Sequence, residues 1–92
     1  MTLHEKLVNK IHEEHEQFLA QIEELSPKGI IYSAYEITCR EELVNVLENT
    51  EFNDETTEKL LALPNPIGVL YDEWLHMDGG FYEMFENVIR NF

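Results

Sequence analysis

Basic residues are scarce in this sequence, and the imbalance limits the partners it can bind. Six Lys and Arg residues stand against 19 Asp and Glu residues, so the formal net charge is −13. A field of this sign repels nucleic-acid phosphates and anionic membrane surfaces. We therefore expect no direct binding to nucleic acid and no membrane association, and a basic protein partner fits the charge best.

Cysteine and long apolar runs are also scarce. Cys39 is the one cysteine, so no intramolecular disulfide can form, whereas small secreted domains usually carry several. The first residues lack the basic-then-apolar pattern of a signal peptide. No apolar run approaches the roughly 20 residues that span a bilayer. These absences predict a cytoplasmic protein.

The length and composition predict one folded domain over residues 1–92. A chain of 92 residues fits a single core. Aromatic residues make up 11% of the chain and apolar residues 43%, which argues against disorder because disordered chains are poor in both. A core this small is marginal, so homodimerisation stays open.

Capping residues and prolines at first helical positions predict where helices start. The predicted starts are Thr2, Ser26, Thr38, Asn53 and Asn65. The second helix is expected to run to about Ile37, and the third from Thr38 to about Glu48. A continuous helix through Thr38 is the alternative, because Ile37 and Thr38 only mildly disfavour helix. The second helix is expected to bury Ile30, Ile31, Ala34 and Tyr35.

Each end of the chain carries a seam, meaning residues at alternating steps of three and four that share one helix face. The N-terminal seam is His4, Val8, Ile11, His15, Phe18, Ile22 and Leu25. The C-terminal seam is Ile67, Leu70, Trp74, Met77, Phe81, Met84 and Val88. The second seam keeps its phase across Gly79-Gly80, although two interior glycines cost about 2 kcal/mol. One long, kinked helix is therefore favoured there over two.

These patterns predict an all-α fold. We expect a small bundle of about five helices, in which long N- and C-terminal amphipathic helices pack antiparallel and shorter helices lie between them. No alternating pattern typical of a strand persists anywhere in the chain.

Two pairs of ionisable residues resemble metal motifs but differ from them in spacing or number. His12 and His15 are three residues apart, whereas the zinc motif H-E-x-x-H places its histidines four apart. Glu73 and His76 match half of a di-iron bundle motif, but no second Glu-x-x-His occurs in the chain. We therefore predict no metal site.

Cys39 and the glycine pair carry no catalytic pattern either. The sequence gives Cys39 no fixed histidine partner of the kind that activates a nucleophile. Gly79-Gly80 lacks the further glycines and the Lys-Ser or Lys-Thr end of a phosphate-binding loop. We predict no catalytic residue, no bound cofactor and a protein that is not an enzyme.

Two surfaces remain as candidates for binding. Acidic residues are densest between positions 41 and 58; such a run is usually a solvated face, and the functional interpretation is a docking surface. Its residues are Glu41, Glu42, Glu48, Glu51, Asp54, Glu55 and Glu58. Tyr71 and Tyr82 lie beside the C-terminal seam and form a candidate aromatic surface.

Two parts of the sequence resemble an uncharacterised bacterial family, domain-of-unknown-function family 3848. They are AYEIT (34–38) with REEL (40–43), and LLAL (60–63) with PI (66–67) and LYDEW (70–74). The resemblance implies a short, acidic, helical protein of Firmicutes, often encoded on mobile elements. It brings no assigned activity, so it implies no catalytic residue.

Three functional hypotheses follow. The first is a non-catalytic interaction module whose acidic helical surface docks a basic protein. The second is an anti-defence or regulatory protein of a mobile element that acts as a nucleic-acid mimic. The third is a small metal-binding helical bundle.

Overall fold

The chain folds into helices joined by short turns. A computed structural model describes residues 1–77 and 80–92, with side chains except those of residues 80–82. The helices in these ranges are α1 (Leu3–Glu23), α2 (Pro27–Tyr32), α3 (Ala34–Asn49), α4 (Asp54–Leu61), α5 (Pro66–Leu75) and α6 (Gly80–Arg90). The described residues contain no strand. The prediction of a small all-α bundle is confirmed, with six helices instead of about five.

Side-chain caps begin three helices where the sequence predicts them. In each case a side-chain oxygen accepts a hydrogen bond from a backbone N–H in the first turn, which satisfies a donor that the helix leaves unpaired. The caps join Thr2 to Glu5, Ser26 to Gly29 and Asn53 to Thr56, at 3.1, 3.2 and 2.8 Å. These three starts are confirmed.

The break between the second and third helices lies at Ser33, earlier than predicted. Ser33 keeps a helical conformation (φ −89°, ψ −1°), and its N–H donates to the carbonyls of Gly29 and Ile30. The helix then continues through Thr38, so the predicted restart there is wrong and the alternative is confirmed. Burial along α3 of Cys39, Val44 and Leu47 outweighs the few tenths of a kcal/mol that β-branched residues cost in a helix.

The prediction that the second helix buries its large apolar residues is wrong. Ile31 is 70% exposed and Tyr35 41%, and Ile30 and Ala34 are exposed too. Gly29, in the first turn of α2, is partly buried. A Cβ added at Gly29 would lie 3.2 Å from Cβ of Leu25, so the absence of a side chain there allows the turn after α1 to pack closely on the first turn of α2.

The core is formed by aliphatic side chains from four helices. Its buried members are Leu7 and Ile11 of α1, Val44 and Leu47 of α3, Leu60 of α4 and Ile67 of α5. On α1 the buried stripe runs through Leu7 and Ile11, and the predicted seam residues beside it, His4 and Val8, are only partly buried. Leu25, at the end of that seam, is exposed.

The prediction of one long C-terminal helix is wrong. The helix α5 ends at Leu75, where the N–H of His76 bonds back to carbonyls of the last turn, and α6 is a separate helix that begins at Gly80. Leu75 and Met77 are exposed, so continuing α5 would bury little to offset the cost of interior glycines. Gly79 itself lies outside the described residues.

Two residues of the C-terminal seam on α6, Met84 and Val88, are exposed as well. The side chain of Phe81 lies outside the described part of the chain.

The helices α3, α4 and α5 all pack against α1. On α3, Glu48 meets His12 and Arg40 meets Glu14. Because the last helix is divided, the predicted packing of α1 against one long C-terminal helix is wrong, and α5, the first of the C-terminal helices, packs against α1.

Two polar side chains one turn apart on α1 hold the ends of α4 and α5. The Lys10 Nζ donates to the carbonyl of Leu61 at 2.6 Å. The Glu14 carboxylate accepts from the N–H groups of Ile67 and Gly68 at 2.8 and 2.9 Å. A cation at a helix C-terminus and an anion at a helix N-terminus both match the helix dipole.

The first turn of α5 has no local side-chain cap. Asn65 occupies the capping position and makes no capping hydrogen bond. The backbone N–H groups of the first turn are instead bonded by Glu14, which lies far away in the sequence. The Glu14 side chain is 12% exposed. The absence of a side chain at Gly68 leaves room there, because a Cβ would lie 3.6 Å from Oε2 of Glu14 and 3.1 Å from Nδ2 of Asn65.

We predict that the substitution Glu14→Gln lowers the free energy of unfolding by about 1–3 kcal/mol, because it removes a largely buried charge-assisted cap. Urea denaturation followed by circular dichroism measures the change. The matched control is Glu13→Gln on the exposed side of α1, which is expected to change stability by less than about 0.5 kcal/mol. Equal effects of the two substitutions would show that Glu14 is not a structural cap.

Candidate partner-binding surface

Arg40 joins three helices beside the Glu14 cap. Its guanidinium carbon lies 4.3 Å from the ring centroid of Phe18 and 5.7 Å from that of Tyr71. Its Nε donates to Glu36 at 2.9 Å, and its Nη1 lies 3.7 Å from Glu14. The Arg40 side chain is 15% exposed. A planar guanidinium can stack on rings and pair with carboxylates at once, so Arg40 fixes α3 against α1 and α5.

The contact between α3 and α5 continues through aromatic side chains. The Trp74 Nε1 donates to the hydroxyl of Tyr35 at 2.8 Å, and the rings of Tyr35 and Tyr71 lie 6.4 Å apart. Partial burial raises the pKa of Tyr35 above its ordinary value, while the bond from Trp74 acts to lower that pKa. Burial raises the pKa of Tyr71, and the negative charge of Glu36 adds to this rise. Both hydroxyls therefore stay protonated at neutral pH.

An apolar groove runs along α3 next to this contact. Its first part, about 260 Å³, is lined by Thr38, Cys39, Glu42, Leu43, Val46 and Trp74. Its second part, about 230 Å³, is lined by Leu43, Val46, Leu47, Phe52, Thr56, Leu60 and Leu70. The two parts share Leu43 and Val46, so they form one groove, here called the α3 groove, bordered by α3, α4 and α5.

The seven predicted acidic residues are all exposed. Glu42 lines the α3 groove, and Glu51 and Glu55 each directly precede a groove residue, Phe52 and Thr56, in the chain. The other members are spread along the outer sides of α3 and α4: Glu41 and Glu48 on α3, Asp54 and Glu58 on α4. One residue of the acidic stretch therefore lines an apolar groove, and two more are next to lining residues in the chain.

Two of these carboxylates already have side-chain partners. Glu48 lies 3.3 Å from Nε2 of His12 on α1, and Glu55 lies 3.3 Å from Nζ of Lys59 one turn later. Both contacts are solvent-exposed, and such pairs contribute little to stability. They leave the predominantly negative charge of the surface in place.

The structure describes the side-chain surroundings of one of the two predicted aromatic residues, Tyr71. Tyr71 is partly buried and packs against Tyr35 and Arg40. Tyr82 belongs to α6 by its position, and its side chain lies outside the described part. The partly buried Trp74 lines the first part of the α3 groove, and Phe52 lines the second.

The histidine residues singled out in the sequence have separate surroundings. His12 pairs with Glu48, whereas His15 stacks on Phe18 with ring centroids 6.2 Å apart. Among residues 1–77 and 80–92, no three or more His, Cys, Asp or Glu side chains gather in a metal-binding arrangement. In the same ranges, no helix has the length and apolar character needed to cross a bilayer.

The sequence interpretation missed Glu14 and Arg40, although a signal was present. Leu7, Ile11, Glu14 and Phe18 follow each other at steps of four, three and four, which places a carboxylate on an apolar face. A charge at such a position needs partners. The N–H groups of α5 and the guanidinium of Arg40 are those partners, and only the fold brings them there.

We predict that Arg40→Lys lowers the free energy of unfolding by about 1–2 kcal/mol, because an ammonium group cannot stack on both rings and pair with the carboxylates. The control is Arg90→Lys at an exposed ion pair, for which less than about 0.5 kcal/mol is expected. Urea denaturation compares the two. Equal stability of both variants would contradict the role given to Arg40.

Comparison with known proteins identifies a family without assigning an activity. No curated protein and no solved structure matches the chain. A family model described as protein of unknown function (DUF3848) matches residues 3–92, which is nearly the whole chain and agrees with the resemblance seen in the sequence. The chain therefore belongs to the DUF3848 family of proteins of unknown function.

Proposed function

We propose that this protein is a non-catalytic interaction module that docks a basic amphipathic helix of a protein partner. The observation that carries the proposal is the α3 groove, an apolar groove whose lining includes Glu42. The exposed residues Glu51 and Glu55 directly precede two further lining residues, Phe52 and Thr56, in the chain. Helix-in-groove recognition combines an apolar face in a groove with charges at its edges.

The dimensions of the α3 groove suit a short helix. Its α3 wall extends from Thr38 to Leu47, which corresponds to roughly 14 Å at the rise of an α-helix. A bound helix would lay two to three turns along it, with residues at every third or fourth position facing Leu43 and Val46. The wall residue Trp74 provides the kind of aromatic contact that often dominates binding energy.

The negative charge of this protein indicates that the polar side of the bound helix is basic. The chain carries −13 overall, and the exposed carboxylates beside the groove add a local negative field. Such a field speeds the encounter with a basic partner and repels acidic ones. The apolar interior of the groove supplies the attraction that persists when salt screens the charges.

The alternative is a mobile-element regulatory or anti-defence protein that mimics nucleic acid. The exposed carboxylates between positions 41 and 58 are the observation in its favour. A nucleic-acid mimic needs carboxylates only, whereas Glu42 here stands among apolar groove residues. The groove therefore favours a helical protein ligand.

A tryptophan-free, Lys/Leu amphipathic helical peptide tests the proposal. Trp74 is the only tryptophan of the chain and lines the groove, so we predict a saturable blue shift of its fluorescence as the peptide binds. The triple variant E42Q/E51Q/E55Q is expected to bind about tenfold more weakly at low salt, because it removes the charge of one groove residue and of two residues next to groove residues in the chain.

The control E13Q/E16Q/E23Q removes three exposed carboxylates from α1 and gives the same net charge. Its affinity is expected to stay within about twofold of the parent protein, since long-range attraction is equal in the two variants. Equal weakening of both variants, or no change in Trp74 fluorescence, would contradict docking at the groove. Displacement of DNA from a basic nuclease without peptide binding would favour the mimic.

A further inference from the structure

The two parts of the α3 groove differ in chemistry. Of the lining residues that the structure describes, Glu42 alone carries a charge, and it belongs to the first part. The other wall of that part includes Trp74 of α5. The second part has no charged residue in its described lining, which contains Phe52, Leu60 and Leu70. The two parts are therefore suited to different side chains of a ligand.

Glu42 lines the first part of the groove with its alkyl carbons. The surface of this part is almost wholly apolar, and a charged carboxylate is most stable in water. Because Glu42 is exposed, its methylene groups form part of the wall and its carboxylate lies at the mouth of the groove. A negative charge at that place complements a long basic side chain, which buries its alkyl stem and keeps its charged end at the surface.

Trp74 favours arginine over lysine as this basic side chain. A guanidinium can contact an aromatic ring and pair with a carboxylate at the same time, whereas the compact ammonium group of lysine is more strongly hydrated. The fold itself contains such an arrangement, since Arg40 lies 4.3 Å from the ring centroid of Phe18 and donates to Glu36. Glu42 and Trp74 place the same two kinds of group in the walls of one compartment.

The spacing of the two parts matches one turn of a bound helix. On α5, Trp74 lines the first part and Leu70, four positions earlier, lines the second. A helix advances about 6 Å over four residues. On α3 the first part extends back to Thr38, whereas the second extends forward to Leu47. Side chains four positions apart on a ligand helix share one face, so one of them can enter each part.

We propose that the first part of the α3 groove selects an arginine of the partner helix, with Glu42 binding its guanidinium, and that the second part takes an apolar side chain four positions away. This inference rests on the proposed docking function and deepens it, because it places one basic residue on the face of the ligand that enters the groove. Long-range attraction alone would make the basic residues of the partner equivalent. An arginine seated beside Glu42 contributes more than the others.

Tryptophan-free amphipathic peptides that differ at one position test the proposal, with Trp74 fluorescence as the measure of affinity. That position holds arginine, lysine or citrulline, which resembles arginine in shape but carries no charge, and leucine lies four positions away. The two orders of these residues correspond to the two directions of a bound helix, and the order that binds more tightly is used. The parent protein is expected to bind the arginine peptide about tenfold more tightly than the citrulline peptide and several-fold more tightly than the lysine peptide.

A double-mutant cycle with Glu42 locates the interaction. In E42Q the preference for arginine over citrulline is expected to fall to about twofold or less. The control E41Q removes the charge of a neighbouring exposed residue outside the groove lining and is expected to keep the parent's preference. Circular dichroism checks that both variants keep the parent's helix content.

The outcomes separate this inference from the proposed function. Equal preferences in E42Q and E41Q would overturn the inference while docking at the groove stands, as would equal binding of the arginine and citrulline peptides by the parent. A lysine peptide that binds as tightly as the arginine peptide would overturn the selection of arginine. Absence of saturable binding by every peptide would overturn the proposed function and this inference together.

Discussion

The rest of the structure depends on the way α1 satisfies two helix ends with one pair of side chains. The C-terminus of α4 and the N-terminus of α5 meet across a short proline-containing connection, and their partial charges have opposite signs. Lys10 contacts the first end and Glu14 the second. Without these partners, backbone groups in a partly buried joint would stay unpaired, which costs free energy. Ile67, fully buried next to this joint, owes its position to the same arrangement.

The same carboxylate also organises the surface that we assign to binding. Glu14 lies beside Arg40, and Arg40 stacks between rings of α1 and α5. This contact sets the distance between α3 and α5 at one end of the α3 groove. At the other end α4 contributes Leu60, and α4 is held in turn by Lys10. The shape of the α3 groove therefore depends on the contacts made by Lys10, Glu14 and Arg40.

Local signals in the sequence predicted local structure. Thr2, Ser26 and Asn53 cap helices as expected, because a cap involves residues only three positions apart. The exposure of the acidic stretch also followed from composition. Features decided by distant contacts were not predictable in this way. The sequence pattern predicts that Ile30 and Ile31 are buried, yet both are exposed.

The helix boundaries show the same limit. Apolar residues recur at helical spacing from Ile67 to Val88, which favoured one helix. Such spacing shows which residues would share a helix face, but it does not show whether another part of the protein covers that face. Leu75 and Met77 are exposed, and α5 ends there. The capping role of Glu14 could not be predicted for a related reason. Its partners at Ile67 and Gly68 lie more than fifty positions away in the chain.

The α3 groove carries the functional claim for this small acidic protein. The most direct test is to follow backbone amide NMR signals while the basic amphipathic peptide is added. We predict shifts confined to residues 38–47, 52–60 and 70–74, with the amides of Ile67 and Gly68 unchanged because Glu14 keeps them bound. Shifts concentrated on the outer side of α1 or on α6 would contradict the account.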